Sequence, residues 1–258
     1  MPLTAFADVW LDPDGPAAMS LHVSPRAADE DRRLVVQELV DAFTTITVEV
    51  SRQDVSLVSV LAAAGFREER TPWFAQLWRA LRDLADLDQH TVAAGYRIRS
   101  VDVADPDDVL ARVEIHRQAW APARIRGLLG LEVTGDEPGS SYSLDKHRAV
   151  IDSPGYRSEL DLVAVGPDGD LAAYALGWLD ERSRSLLFEP VGTAPAHAGR
   201  GLARALCAQI LRRADRLGAD EAVVGPRGDP GYPLPRRVYE GLGMREVAQF
   251  VLMTNAPS

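Results

Sequence analysis

The stretch Phe188-Glu189-Pro190-Val191-Gly192-Thr193-Ala194-Pro195-Ala196-His197-Ala198-Gly199-Arg200-Gly201-Leu202-Ala203-Arg204-Ala205-Leu206 decides how this chain is read. It begins as a strand and turns at Gly199 and Gly201. A helix starts at once, with Ala203, Leu206, Cys207, Ile210, Ala214 and Leu217 on one stripe and a stop at Gly218. Such a turn lets backbone N–H groups converge on an anion, and the positive end of the helix adds to their pull. A pyrophosphate fits there, although a glycine turn can also be purely structural. The lysine followed by Ser or Thr of an NTPase phosphate loop is missing, and the glycines do not have the offsets of a dinucleotide fingerprint.

Working outward, Leu186 to Thr193 reads as a strand, and Leu160 to Val165 with Leu171 to Leu179 flank Gly166-Pro167-Asp168-Gly169-Asp170 as a hairpin. Farther upstream come a strand at Tyr96 to Val101, a helix at Pro106 to Ala119, a Gly-, Ser- and Pro-rich segment from Gly127 to Ser143 and a helix near Leu144 to Asp152. Downstream, Glu221 to Val224 is a strand, Leu234 to Leu242 a helix ended by Gly243, and Glu246 to Met253 a last strand. The opening residues predict a hairpin, Phe6 to Leu11 and Ala17 to Val23 around Asp12-Pro13-Asp14-Gly15, then a helix at Ala28 to Phe43. A strand at Ile46 to Val50, a short helix at Val55 to Ala64 and a strand at Pro72 to Leu81 follow. Leu84 to Ala94 lacks sustained strand periodicity, which places a domain boundary there and gives domains at 1–90 and 95–258. Meander strands mixed with crossover helices predict an α/β or α+β fold with a mainly antiparallel mixed sheet flanked by helices.

The 258 residues carry 28 basic and 38 acidic side chains, a net charge of -10 that argues against nucleic acid as a partner. The sole cysteine, Cys207, excludes an intramolecular disulfide and a cysteine-rich metal site, and its place on the helix stripe predicts a buried thiol. No basic-then-apolar leader opens the chain and no run approaches the length of a membrane span, so a soluble, cytoplasmic protein is expected, with no membrane partner. Nothing pairs His197 with a second ligand at metal spacing, and no metal is expected. Both monomer and homodimer remain open.

Val191-Gly192-Thr193-Ala194-Pro195 followed by Gly199-Arg200-Gly201-Leu202-Ala203 resembles the acetyl-CoA-binding motif of the GCN5-related N-acetyltransferase (GNAT) family. There, Arg or Gln, two residues, Gly, one residue, then Gly or Ala is typical. Gly201 and Ala203 match, whereas Ala198 stands where Arg or Gln is expected. The resemblance extends in order through Tyr96-Arg97-Ile98-Arg99, Val109 to Trp120, and Leu162-Val163-Ala164-Val165 to Trp178. It ends at Val238-Tyr239-Glu240-Gly241-Leu242-Gly243-Met244, similar to the family's tyrosine beside a helix end, and covers about 160 residues. It implies acetyl transfer from acetyl-CoA, a cosubstrate, to a primary amine of a small acceptor. The cofactor contacts would come from Val191, Thr193, Gly199, Arg200, Gly201, Leu202, Ala203 and Arg204, with Arg200 and Arg204 compensating for Ala198.

By the same resemblance Tyr239 is the candidate acid that protonates the departing thiolate, and Glu189 the candidate base, better suited if burial raises its pKa. A packing aromatic and a structural carboxylate are the plain alternatives. The Val191 N–H resembles the family's donor to the thioester carbonyl. His116 and Trp120 share a helix face and could line the acceptor pocket, or be a surface histidine beside a core aromatic.

The first ninety residues resemble the C-terminal half of the same fold, with Val60-Leu61-Ala62-Ala63-Ala64-Gly65-Phe66 similar to the family's tyrosine-to-Gly-Phe ending. Where phosphate-binding glycines belong, this copy reads Pro25-Arg26-Ala27-Ala28-Asp29-Glu30-Asp31, and three carboxylates would repel a pyrophosphate. A smaller, degenerate, noncatalytic GNAT-like domain is therefore expected, bracing the active copy and walling its acceptor site. Two competing functions stay open: a noncatalytic acyl-CoA-binding or regulatory module, and a protein-interaction scaffold.

Overall fold

The expected order of strands and helices is present in the structure, a computed structural model that describes residues 5–10, 17–24 and 26–256. In chain order, β1 is Ala5–Trp10, β2 Ala17–Val23, α1 Asp29–Ala42, β3 Ile46–Ser51, α2 Val55–Ala63 and β4 Arg67–Ala80. Next come β5 Arg97–Ser100, α3 Pro106–Ala119, α4 Pro122–Leu128, α5 Leu144–Ile151, β6 Asp161–Val165, β7 Leu171–Asp180 and β8 Ser185–Thr193. The chain finishes with α6 Leu202–Arg216, β9 Glu221–Val224, α7 Leu234–Glu240 and β10 Arg245–Thr254. The turn expected at Asp12 to Gly15 lies outside the described residues, although β1 and β2 pair antiparallel.

Two compact units emerge: Met1–Gln76 with Gly225–Pro233 and Glu246–Ser258, and Leu77–Val224 with Leu234–Arg245. The boundary expected at Leu84 to Ala94 falls inside the second unit, where a 3-10 turn at Ala85–Gln89 buries Leu87. In the first unit β2 runs parallel to β3, and β3 pairs antiparallel with β10 from the end of the chain. Period-two alternation turns Met19, Leu21, Ile46, Val48, Val50, Val251 and Met253 toward Val36, Leu57, Leu61 and Phe66.

In the second unit the sheet runs from residues 77–80 of β4 through β9, β8, β7 and β6 to β5, and only the β8–β9 pair is parallel. Helix α6 buries Leu206, Cys207, Ile210 and Ala214 as its stripe predicts. Ala203 is only half-buried, and Leu217, just past the last turn, is 38% exposed. Each fully buried Leu or Ile contributes about 1.5–3 kcal/mol, so this packing fixes where the helix begins. Gly177 admits Ile210: a Cβ there would stand 2.9 Å from its methyl group. On the other face, Ile115 and Ala119 of α3 pack with Val101, Val163, Tyr174 and Ala194. Helix α4 was not anticipated. Its seven residues, opening on Pro122, are too few to show a periodic stripe.

Candidate active site

The strand that leads to the glycine turn is bulged. Ala175 of β7 faces Val191 and Gly177 faces Phe188, so Glu189 and Pro190 together stand opposite Leu176. A bulge of this kind re-aims the residues beyond it. The Trp178 indole N–H holds it by donating to the Glu189 carbonyl at 2.7 Å. Pairing of β8 with β9 extends from Ser185 to Leu187 and stops short of the bulge. Glu189 and Val191 thus sit where β8 parts from its parallel neighbour.

After Thr193, a 3-10 turn at Pro195–His197 leads to Gly199 and Gly201, whose φ values of 75° and 74° are left-handed and suit glycine. A Cβ on either would meet nothing within 4 Å. The first N–H taken up by α6 is that of Ala205, which donates to Gly201 O. Among the described residues, the N–H groups of Gly199, Arg200, Gly201, Leu202, Ala203 and Arg204 therefore have no protein acceptor. The six donors belong to a helix N-terminus that carries no acidic residue in its first turn. The two arginines are partly engaged. Arg200 reaches back to Ala196 O at 2.8 Å, and Arg204 donates to Arg237 O at 3.0 Å while lying against Gly241. Ala198 is exposed. His197 has a structural partner the sequence did not signal, its Nδ1 lying 2.9 Å from the Tyr96 hydroxyl.

Tyr239 projects from α7 into the interior, 6% exposed, its ring centroid 5.9 Å from that of Phe188. Burial pushes its phenol well above the ordinary value, with Cys207, Tyr174 and the Glu189 carboxylate adding to the effect. The hydroxyl accordingly stays protonated and able to donate. Cys207 is buried as predicted, and burial raises its thiol as well. Glu189 is exposed, so the burial that would have favoured it as a base is absent.

His116 and Trp120 belong to a polar aromatic cluster that includes residues the sequence did not single out. The His116 ring stacks on Tyr142 at 3.7 Å and on Tyr174 at 5.6 Å, while the Trp120 N–H donates to the Tyr174 hydroxyl at 2.7 Å. Trp120 is 38% exposed and His116 half-buried, the reverse of a core aromatic beside a surface histidine. Beneath them Arg112 pairs with Asp161 at 3.0 Å and lies over the Tyr174 ring at 3.7 Å. His147 is fully buried, with Nδ1 2.9 Å from the Tyr142 hydroxyl. Desolvation, then the nearby Arg112 charge, lowers both His116 and His147 to about 4, with His147 also acting on His116. The cluster adjoins the bulged strand through Tyr174, since a Cβ on Gly192 would stand 2.7 Å from that ring. Glycine inside a strand was the one signal in the sequence for this close approach.

Residues 131–233 match the family model described as acetyltransferase (GNAT) family. No curated protein matches the sequence. A solved GCN5-related N-acetyltransferase from Sphaerobacter thermophilus is similar at 20% identity and a TM-score of 0.69, over 97% of this chain and 76% of that one. A tandem GNAT protein from the clavulanic acid biosynthesis pathway is similar at 19% identity and a TM-score of 0.65, over 100% and 86%. A GCN5-related N-acetyltransferase from Kribbella flavida follows at 16% identity and a TM-score of 0.60, over 94% and 82%. At these identities the likeness is one of fold. Among the described residues, no helix is long and apolar enough to cross a membrane.

Proposed function

We propose, from the match of residues 131–233 to the family model described as acetyltransferase (GNAT) family, that the chain carries a domain of that family and transfers an acetyl group from acetyl-CoA to a primary amine. The single observation that carries this reading is the run of six unpartnered N–H groups from Gly199 to Arg204. Their glycines leave open space around the backbone, so the residues present fit a pyrophosphate. Acetyl-CoA supplies an activated thioester. In the transfer a C–N bond forms and the C–S bond breaks. The amine gives up a proton, and the departing thiolate takes one. Tyr239 holds a proton for the thiolate, and Glu189, directly or through water, receives that of the amine. Val191 offers its N–H to the carbonyl at the point where β8 leaves β9.

We assign residues 1–90 to a degenerate copy that takes no part in this chemistry, on the grounds of its three carboxylates at the corresponding helix start. A noncatalytic acyl-CoA-binding module is the second reading, favoured by Ala198 and by the exposure of Glu189. Release of free CoA, followed with a thiol reagent across a panel of amines, separates the two. Because Cys207 is buried, it contributes no background. Amine-dependent release supports transfer. Acetyl-CoA binding without release by any amine supports the module, and no acetyl-CoA binding sinks both.

A further inference from the structure

Directly paired residues share a face of a sheet, which lines up Trp78 of β4, Val223 of β9, Leu187 of β8 and Trp178 of β7 as one row across the second unit. On the opposite face, Leu77, Ala222, Val224, Leu186 and Leu179 are all buried. The row is partly open: Trp78, under the Arg245 guanidinium at 4.8 Å, Val223 and Trp178 are half-buried, and Leu187 is 38% exposed. Apolar side chains in the interior of a sheet are normally covered, and an uncovered run of them marks a binding surface.

Much of this row lines an open groove of about 600 Å³, with Trp178, Leu187 and Val223 on its floor and Pro154 and Gly155 on a wall. Gly155 lies against the Trp178 ring, which a Cβ there would approach to 3.5 Å. Trp178 joins the groove to the reacting end of β8, since its indole N–H is bound to the Glu189 carbonyl. Its charged lining is Asp180, Glu181 and Arg157, and Arg157 is paired with Glu181 and with Glu159. Asp180 is turned to the Ser183 hydroxyl and the Arg182 N–H, which hold its carboxyl below the ordinary range and keep it ionised. The field at the rim is therefore negative, while the floor is apolar and broad enough for a flat ring.

We propose that this groove receives the acceptor, and that the acceptor is a cationic primary amine carried on an aromatic or alkyl body. This rests on the transferase reading and names its substrate class. The rim carboxylates draw the cation into the groove, and once its body lies on Trp178 and Leu187 the amine is presented at the other end of that row, beside Glu189. There it loses a proton, forms the C–N bond and leaves CoA as the thiol. Polar amines such as amino sugars would leave the apolar floor without a partner and forfeit its contribution.

The test has two arms. In the first, 2-phenylethylamine and tryptamine are compared with glucosamine as acceptors for the wild type and for Leu187→Arg, a change at an exposed position that puts bulk and positive charge on the floor. The expected result is kcat/KM at least tenfold higher for the apolar amines. Leu187→Arg should raise their KM at least tenfold while acetyl-CoA affinity stays within twofold. In the second arm 2-phenylethylamine is titrated without cofactor, read by chemical shifts of the indole N–H resonances. Saturable binding to the wild type that Leu187→Arg abolishes supports the groove independently of turnover. Equal use of glucosamine, or an unchanged KM in a variant that binds acetyl-CoA, overturns the groove and leaves the transferase reading standing. Failure of the wild type to bind acetyl-CoA overturns the transferase reading, and the amine titration then decides the groove alone.

Discussion

The N-terminal and C-terminal stretches of the chain repeat one sequence of elements: an antiparallel hairpin, a helix, a strand parallel to the second hairpin strand, a short helix and a last strand. In the first it is β1, β2, α1, β3, α2 and β4, and in the second β7, β8, α6, β9, α7 and β10. The long helices differ where each begins. Helix α1 opens on Asp29, Glu30 and Asp31, and the Asp31 carboxylate accepts from the Ala28 N–H at 3.0 Å. Helix α6 opens on Gly201 with no acid in its first turn and six N–H groups unclaimed. The short helices differ in one side chain. Phe66 N–H closes on Leu61 O as Met244 N–H closes on Tyr239 O, so Leu61 occupies the place of Tyr239 and brings no hydroxyl. A shared topology is thus not a shared site. The chain's own carboxylates fill the positive end of one helix and leave the other for a ligand.

That contrast breaks most readily at the tyrosine. Tyr239→Phe should lower single-turnover acetyl transfer by about a hundredfold to ten-thousandfold, the usual worth of general acid assistance. Acetyl-CoA affinity should stay within twofold, because the ring and its packing remain. The converse change, Leu61→Tyr, should leave the rate unaltered and cost about 1–3 kcal/mol of stability by overfilling a fully buried site. A wild-type chemical rate in Tyr239→Phe would reduce the tyrosine to a packing residue.

A smaller effect belongs to the buried histidines of the second unit. His116 and His147 sit near 4 when folded against about 6.5 unfolded. Between those values the unfolded chain binds more protons, so stability is full above about pH 6.5 and is lost as pH falls toward 4. For the fully buried His147 the loss amounts to about 3 kcal/mol at most. Thermal unfolding from pH 7 to pH 4.5 should show a shallower decline in His147→Gln, whose amide oxygen can still accept from Tyr142. Identical slopes would mean that His147 is not held neutral.

The smallest expected change is a gain. Ala198→Arg places a donor at the exposed position before Gly199 and should tighten acetyl-CoA about fivefold, on the order of 1 kcal/mol, as read by calorimetry. Equal or weaker binding would mean that Arg200, folded back on Ala196 O, already serves the turn.

The parts of the fold legible in the sequence were those written in local periodicity and punctuation. The stripe on α6, the stop at Gly218 and the hairpin at residues 166–170 depend on neighbours within a few residues; the stop and the hairpin appear as read, and the stripe does in Leu206, Cys207, Ile210 and Ala214 but not at its ends, Ala203 and Leu217. The turn at Gly199 and Gly201 was legible for the same reason. What escaped was non-local. Period-two alternation in β10 gives no hint that it pairs with β3, some two hundred residues away. Arg112 and Asp161 find each other across α3 and β6, and Tyr142 reaches His116 and His147 out of a Gly- and Ser-rich loop. The exposure of Glu189 continues the alternation of buried Leu186, exposed Leu187 and buried Phe188, whereas the bulge at Glu189 and Pro190 shows only once β7 and β8 are set in register.

The central claim, one live phosphate-binding turn and one dead copy, is tested most directly by calorimetric titration of acetyl-CoA into the wild type and Gly201→Asp. Aspartate tolerates a left-handed backbone better than most residues, so the variant should fold, while its charge opposes a pyrophosphate. The predicted result is one site per chain in the wild type and no measurable binding in the folded variant. Two sites per chain, or undiminished affinity in Gly201→Asp, would contradict the account.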